Sequence, residues 1–476
     1  MSIEPDFTAA EQEASEAILS IDDVIELMTE RLSDGLDHPE LWADLPAFIA
    51  HFPNFVGELG SRIVRGIGRV GEMTVLHCVA IAVAGDPRRA LHMLEPIAVN
   101  NSLVPVVQGA LFHVQGLLDP GNPKYDLSDR FCATPFAKFD VLDGTTHQCC
   151  ASWIRESAGN LAAADHWQDV WNSPTAQDIR ASILDGSYRY CNKTACPHIS
   201  SNALPTKTSA AALSDKMRDI IENDRTEIVE GPERVTLAYD KTCNLSCPSC
   251  RTEKIAADSA TRDRFDKLQE NAILPMLRNA KLVDITGSGD PFASKNFRRL
   301  MEKLTAEDYP DLGFLVMTNG MLLTPREWEK FPALHGGRVA FMRVSLDAAT
   351  GPTHELLRRG ARWPVMESNL AFIRDLRQAG EIGHLTITFT VQVDNYREMG
   401  DAVELGHSYG ADSVDFLRMT NWGTFTNEQY ARAAVFMPSH PEYASFVEAM
   451  QDPRLRGPGV RLNDLLDFVK TDAIAG

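Results

Sequence analysis

Apolar positions recur near the helical period through the first quarter of the chain and then give way to alternating and short continuous runs. Within 18–32, Ile21, Val24, Ile25 and Leu27 follow a repeat close to 3.6 residues and predict a helix. The runs 73–84 and 88–99 predict two apolar helices joined by Gly85-Asp86-Pro87. A further run, 104–118, stops at Asp119-Pro120-Gly121-Asn122-Pro123. Residues 1–125 are expected to form a helical domain. Its helix–turn–helix pairs suggest a small tetratricopeptide-like array or a generic bundle, with no repeat consensus residue by residue. His77 and Cys78 fall within an apolar helix and are expected in its packing.

The pattern then changes. Phe139-Asp-Val-Leu-Asp143-Gly144 alternates and ends on an Asp-Gly turn, which predicts a β-hairpin. A helical stretch, 167–184, follows, and 201–232 reads as a linker with one helix at 215–222. From residue 234 strand-like and helix-like segments alternate. Strands are expected at 234–240, 281–286, 313–318, 338–345, 385–393 and 413–418. Helices are expected at 262–279, 292–305, 325–331, 364–379 and 395–408. Six βα units predict a parallel sheet, curved or closed, with any ligand at the carboxyl ends of the strands. Residues 426–476 form a tail, with a helix at 442–450, expected to cap the barrel.

Composition narrows the class. A chain of 476 residues with 44% apolar and 24% charged residues is expected to hold two or three globular domains. A net charge of −20 excludes a nucleic-acid partner held by phosphate contacts and disfavours anionic membranes. No apolar run reaches the length of a membrane span, and Met1-Ser-Ile-Glu-Pro-Asp6 lacks the basic start of a secretory signal. The cysteine count is odd at nine, and the cysteines cluster, a pattern that points to reduced thiolates on metal in the cytoplasm.

The chemistry gathers in a few stretches. Cys243, Cys247 and Cys250 stand in C-x3-C-x2-C spacing just after the first barrel strand. Soft sulfur ligands on one loop suit an iron–sulfur cluster, and three ligands on a four-iron cluster leave one iron open for a small molecule. After the second strand comes Gly287-Ser288-Gly289-Asp290; glycines let backbone approach a ligand, and Asp290 has the charge to receive an ammonium group. After the fourth strand, Ser345 and Asp347 are two apart, face the same way and suit a ribose diol. Upstream, Cys132, Cys149, Cys150, Cys191 and Cys196 bracket the hairpin and the following helix. Four of them can hold a cluster or a zinc ion, and spacing alone does not choose.

Residues 232–425 resemble the radical S-adenosylmethionine (SAM) enzymes. The resemblance rests on the cysteine triplet, the glycine loop and the Ser-x-Asp element. It implies that Cys243, Cys247 and Cys250 bind a 4Fe–4S cluster, that Gly287, Ser288, Gly289 and Asp290 meet the methionine end of SAM, and that Ser345 and Asp347 lie near its ribose. In that family an electron from the cluster cleaves SAM, and the 5′-deoxyadenosyl radical takes hydrogen from substrate. Two positions depart from the family: Ser249 replaces an aromatic residue before the third cysteine, and Asp290 replaces a glutamate.

Residues 132–197 resemble the SPASM auxiliary-cluster domain through Cys132, Gly144-x4-Cys149, Gly159-Asn160-Leu161, Val170-Trp171-Asn172-Ser173, Cys191 and Cys196. The domain stands before the barrel, where relatives place it after. The resemblance implies one auxiliary 4Fe–4S cluster on Cys132, Cys149, Cys191 and Cys196, with Cys150 as the alternative to Cys149.

The expected organisation is therefore α/β: a helical domain (1–125), a SPASM-like domain (130–200), a linker (201–232), a partial (β/α)6 TIM-like barrel (233–425) and a tail (426–476). The expected function is a radical SAM enzyme acting on a peptide, with a flavodoxin- or ferredoxin-type reductant. The alternatives are a sugar or aminoglycoside dehydrogenase or epimerase, and a non-catalytic iron–sulfur electron carrier or scaffold. Arg358, Arg359 and Arg362 are expected either to hold an anionic substrate or to pair with Glu355. Gln392, Asn395, Arg418, Asn421 and Trp422 fall at strand ends near the mouth, where turn and cap roles compete with ligand binding.

Overall fold

The structure, a computed structural model, describes residues 20–100 and 104–469. Positions 18 and 19 of the first predicted helix, the acidic N-terminal segment, and the ends of the helical domain and tail calls lie outside these residues. The described chain forms two compact units that do not follow chain order. One unit is Met1–Phe136, His147–Ala158 and Asn172–Ile228; the other is Ala137–Thr146, Gly159–Trp171 and Val229–Gly476.

In the first unit six consecutive helices run Ile21–Arg31, Pro39–His51, Phe55–Arg65, Val70–Val83, Pro87–Asn100 and Pro105–Leu118. Ser20 caps the first through a reciprocal box with Asp23. Val70–Val83 is buried almost all round, with Leu76 and Cys78 at 0% exposure, which explains its uniformly apolar sequence. Pro39–His51 and Phe55–Arg65 escaped the periodicity reading. Their signals are local ones: a proline in the first turn of the former and left-handed Gly66 after the latter.

The second unit is built on one nine-stranded open sheet. Its strands are β1 (Lys138–Val141), β2 (Thr146–His147), β3 (Arg234–Leu237), β4 (Leu282–Ile285), β5 (Gly313–Thr318), β6 (Val339–Ser345), β7 (Ile382–Val391), β8 (Ser413–Arg418) and β9 (Val460–Arg461). The order is β2-β1-β3-β4-β5-β6-β7-β8-β9, and every neighbouring pair from β1–β3 to β8–β9 is parallel. Strands β3 to β8 are the six predicted ones, separated by helices, and they make a partial TIM-like barrel. Because successive strands lie side by side and run one way, their carboxyl-end loops collect along one rim.

Three strands, those of the β1–β2 hairpin and β9, extend the sheet beyond the six predicted for the barrel. The Asp-Gly hairpin forms as expected, with Gly144 at φ +82° and Leu142 N–H bonded to Thr145. Its strand β1, with Phe139 and Val141 buried, pairs along β3. At the other end, β9 from the tail pairs with β8. Both additions are short and cover edges that would otherwise expose unpaired backbone. The single helix expected at 262–279 is instead Ser259–Leu268 and Leu274–Leu277 joined by a wide turn, Gln269–Ile273. The wide turn precedes Pro275, which cannot donate to the helix, and turns Gln269 inward to bond Tyr239 and Asn296. Among the described residues no helix is long and apolar enough to cross a membrane.

Candidate functional site

Strand β3 ends at Leu237, and the chain then folds back into the cysteine loop. Cys243 N–H bonds Ile255, and the Cys250 and Arg251 N–H groups both bond the Cys247 carbonyl, so the loop closes on itself. Cys247 is buried, Cys243 half-buried and Cys250 exposed. Each sulfur meets a different nitrogen donor. Asn319 Nδ2 lies 3.6 Å from Cys243 Sγ, Arg358 Nη1 lies 3.9 Å from Cys247 Sγ, and Arg251 Nη2 lies 3.3 Å from Cys250 Sγ. The first two donors come from the loops after β5 and β6. Burial pushes the Cys243 and Cys247 thiols up in pKa, opposed at Cys243 by the Leu245 N–H and Arg251 and at Cys247 by Arg358. Metal binding would release those protons.

The glycine loop after β4 is fastened to the cysteine loop. Asp290 N–H bonds Thr242, and Ser288 Oγ donates to Ala238. Arg251 also donates to the carbonyls of Lys241 and Ser288, at 2.7 Å each, and so clamps the two loops together. A Cβ on Gly289 would come within 2.5 Å of the Thr242 carbonyl and 2.7 Å of that of Asp240. A Cβ on Gly287 would meet nothing within 4 Å. Only one of the two glycines is there for close approach to protein; the other faces open space.

Asp290 is placed differently from the ammonium acceptor that its charge suggested. It is fully buried, and both oxygens accept from protein donors: Oδ2 from Thr318 Oγ1 and Asn319 N–H at 2.8 Å, Oδ1 from Phe292 N–H at 3.1 Å. Asp347 is likewise engaged. Its Oδ1 accepts from Thr390 N–H, and its Oδ2 pairs with Arg358 Nη2, each at 2.7 Å. Its backbone is left-handed at φ +60°, and Asn395 Nδ2 bonds its carbonyl. Ser345 Oγ accepts from Thr388.

The arginines divide by position. The predicted pairing of Arg358 with Glu355 does not form. Glu355 instead accepts from Trp363 N–H at the start of the helix Trp363–Gln378, because Arg358 turns inward to Asp347. Arg359 and Arg362 are exposed. Asn395 is tied up in its turn with Gln392 N–H, and Asn421 in a turn with Gly423 and Phe425. Arg418 lies over the Phe468 ring and near Asp464.

A cavity of about 580 Å³ opens at this rim, lined by Lys241, Cys250, Arg251, Gly287, Ser288 and Trp422 among others. Of the residues predicted to hold SAM, Gly287 and Ser288 reach it; Gly289, Asp290, Ser345 and Asp347 are not in its lining. The fit to a cluster with an open iron is favourable on two observations. The three sulfurs already carry nitrogen donors, and Arg358 Nε, beside Cys247 and Asp347, is buried with no hydrogen-bond partner among the described residues. Arg251 and Asn319 were missed by sequence reasoning. The only signals are an arginine directly after the third cysteine and an asparagine at the end of β5.

In the first unit the upstream cysteines converge. Cys132, Cys149, Cys191 and Cys196 line one pocket with Tyr188 and Trp153, and Cys150 is not in its lining. The Cys191–Cys196 loop is built on Asn192, whose side chain accepts from Ala195 N–H. It is pinned to the helical region by a buried pair, Lys193 Nζ to Asp37 Oδ2 at 2.5 Å, and by Thr194 Oγ1 on Gln108. Burial and the neighbouring Cys132, Cys149 and Cys196 push Cys191 well up in pKa. His198 sits exposed at the rim. Among the described residues no group of three or more His, Cys, Asp or Glu side chains is set to hold a single metal ion.

No curated protein matches the chain significantly. Among solved structures, Streptococcus suis SuiB bound to precursor peptide SuiA is 13% identical with a TM-score of 0.30, over 43% of this chain and 44% of that one. TYW1 with a lysine-pyruvate adduct bound is 14% identical with a TM-score of 0.30, over 48% and 74%. Histidine-tagged anSMEcpe with bound AdoMet is 16% identical with a TM-score of 0.33, over 48% and 62%. The matches span about half the length of the SuiB chains, and none assigns a substrate here. The Radical SAM superfamily model, by contrast, matches residues 241–406, from the cysteine loop through the strand-end loops after β4, β5 and β6. The chain carries a radical SAM domain.

Proposed function

We propose that the chain is an enzyme that cleaves SAM reductively at a 4Fe–4S cluster on Cys243, Cys247 and Cys250, and abstracts hydrogen from a peptide. The observation that carries the reading is the rim itself: three cysteine sulfurs on one loop, each facing its own nitrogen donor, with Cys250 lining a cavity together with Gly287 and Ser288. When bound, the cluster supplies the electron that breaks a carbon–sulfur bond of SAM. The chain's own residues hold and orient. Arg251, Asn319 and Arg358 present N–H groups to sulfur, which disperses negative charge there. Gly287 offers exposed backbone to the methionine end of SAM, and Ser288, held by Thr286 and Arg251, shapes the turn beside it. Asp290 acts on that backbone from beneath by fixing the turn, and Asp347 acts through Arg358; neither touches the cofactor directly.

The upstream cysteines are read as a second, SPASM-like 4Fe–4S site on Cys132, Cys149, Cys191 and Cys196. The convergence of four thiols on one pocket supports it. With every corner iron held by a cysteine, such a centre takes up or passes an electron and binds no substrate. The peptide reading rests on the six-helix region, whose side chains offer an extended surface of the kind helical arrays use for partners, and it is an argument by analogy.

Anaerobic reconstitution with iron and sulfide, followed by SAM and a low-potential reductant, tests the reading. The expected result is iron for two clusters and release of 5′-deoxyadenosine. A reconstituted, reduced protein that leaves SAM intact overturns it. Deuterated candidate peptides and sugars then separate the substrate classes by the label recovered in 5′-deoxyadenosine.

A further inference from the structure

Tyr188 is the one tyrosine in the lining of the upstream cysteine pocket, and it is at 0% exposure. Its hydroxyl has no hydrogen-bond partner among the described residues. A phenylalanine would fill the same space without burying an unpaired O–H, so the hydroxyl is a cost unless something else accepts from it. The neighbouring walls offer little: Pro135, Ile154, Ile183, Ile199 and Leu204 are apolar. Thr134, the other hydroxyl there, already serves Cys132. Apart from the Trp153 indole, which only donates, and the exposed His198, what remains in the lining is sulfur, from Cys132, Cys149, Cys191 and Cys196.

The backbone holds the ring there against its own preference. Tyr188 has a left-handed φ of +49°, unfavourable for a bulky side chain. It is fixed by its N–H on Ser182 at 2.8 Å and by its carbonyl, which accepts from Cys191 N–H at 2.9 Å. Two residues earlier, Gly186 passes so near the Ser128 backbone that a Cβ would lie 2.8 Å from Ser128 Cα. The turn between the helix Pro174–Leu184 and Cys191 thus fixes one phenol ring in the lining that the four cysteines share.

We propose that the Tyr188 hydroxyl donates a hydrogen bond to sulfur of the auxiliary cluster held by Cys132, Cys149, Cys191 and Cys196, and thereby raises that cluster's reduction potential. The proposal rests on the auxiliary-cluster reading above. A donor facing sulfur stabilises the reduced, more negative cluster more than the oxidised one, so losing it makes reduction harder.

The test uses the full chain carrying Cys243→Ala, Cys247→Ala and Cys250→Ala, reconstituted so that any iron left belongs to the upstream site. Iron content and a redox titration followed by electron paramagnetic resonance are read with and without Tyr188→Phe. The expected result is unchanged iron and a midpoint shifted to more negative potential in the Phe variant. Unchanged iron with an unchanged midpoint overturns the inference while leaving the auxiliary cluster in place. A parent that keeps no iron–sulfur signal overturns the auxiliary-cluster reading itself, and the inference with it. Where Tyr188→Phe fails to fold, incorporation of fluorotyrosine, a stronger phenol donor, is expected to move the midpoint the other way, and no movement overturns the inference.

Discussion

Arg358 joins Asp347 to Cys247: one guanidinium nitrogen sits 2.7 Å from the carboxylate and the other 3.9 Å from the sulfur. The carboxylate side chain is 4% exposed and the guanidinium 14%. Removing either partner of so buried a pair leaves the other uncompensated, at a cost of about 3–5 kcal/mol. Asp347→Ala is therefore expected to lower stability by that order in denaturant unfolding. It should also loosen Arg358 and shift the electron paramagnetic resonance signal of the SAM-site cluster. An unfolding midpoint equal to the parent's refutes the pairing.

The two glycines of the β4 loop make a matched comparison. Gly289→Ala places a methyl against the Thr242 and Asp240 carbonyls and must push the cysteine loop away. Displacement of about 1 Å at such a site costs about 100-fold in turnover. SAM cleavage is expected to fall by that order in Gly289→Ala and by far less in Gly287→Ala, whose methyl meets no protein atom. Equal losses contradict the packing described.

Cys149 and Cys150 are adjacent, yet only Cys149 lines the upstream pocket. Cys149→Ala is expected to lose the metal of that site, whereas Cys150→Ala retains it. Iron and zinc analysis of the two proteins, in a background lacking the downstream triplet, decides between them and also tells cluster from zinc.

The buried Asp37–Lys193 pair fastens the Cys191–Cys196 loop to the helical region. Trp42 Nε1 also donates to Asp37, and the pair lies over Gly109, where a Cβ would fall 2.0 Å from the Asp37 carboxyl carbon. Lys193→Met alone should destabilise by about 3–5 kcal/mol, and the double change Asp37→Leu/Lys193→Met by less than the sum of the two singles. Additive losses argue that the two residues act independently.

Asp412 provides a pH-dependent contribution just before β8. The Arg377 guanidinium beside it, with the Leu385 N–H, holds its carboxyl at about 2, against an ordinary 3.8, despite partial burial. A depressed carboxyl stabilises the fold above its unfolded value and loses that effect as pH falls toward its folded value. The stabilisation, about 1–2 kcal/mol at neutral pH once solvent screening is allowed for, is thus present above roughly pH 4 and gone near pH 2. The stability difference between the parent and Asp412→Asn is expected to shrink across that window and to be flat above it.

The strands from β3 to β8 were legible because each is a short apolar run bounded by turn signals and followed by a helical pattern. The cysteine triplet was legible because its ligands are neighbours in sequence. The donors to its sulfurs were not, since Asn319 and Arg358 reach it from loops that only the parallel order of strands brings together. Asp290 and Asp347 were recognised as important positions but given direct ligand roles. A sequence shows a carboxylate and its place on a strand end; it does not show that Thr318, Asn319, Thr390 and Arg358 already use it. The hairpin 139–144 was read correctly as a hairpin, but nothing local says that its strand pairs with one almost a hundred residues later.

That pairing bears on how the protein can be taken apart. The chain leaves the first unit at Ala137, lays down β1 beside β3, and returns at His147 to deliver Cys149. A cut near residue 229 would leave the downstream fragment without β1, with Arg234–Leu237 as a raw edge, and would leave the upstream fragment carrying an unmatched strand. During synthesis, the Cys132, Cys149, Cys191 and Cys196 segments emerge before β3 exists to receive the strand threaded between them. The two units are thus interleaved along the chain, and no single cut separates one from the other with both intact.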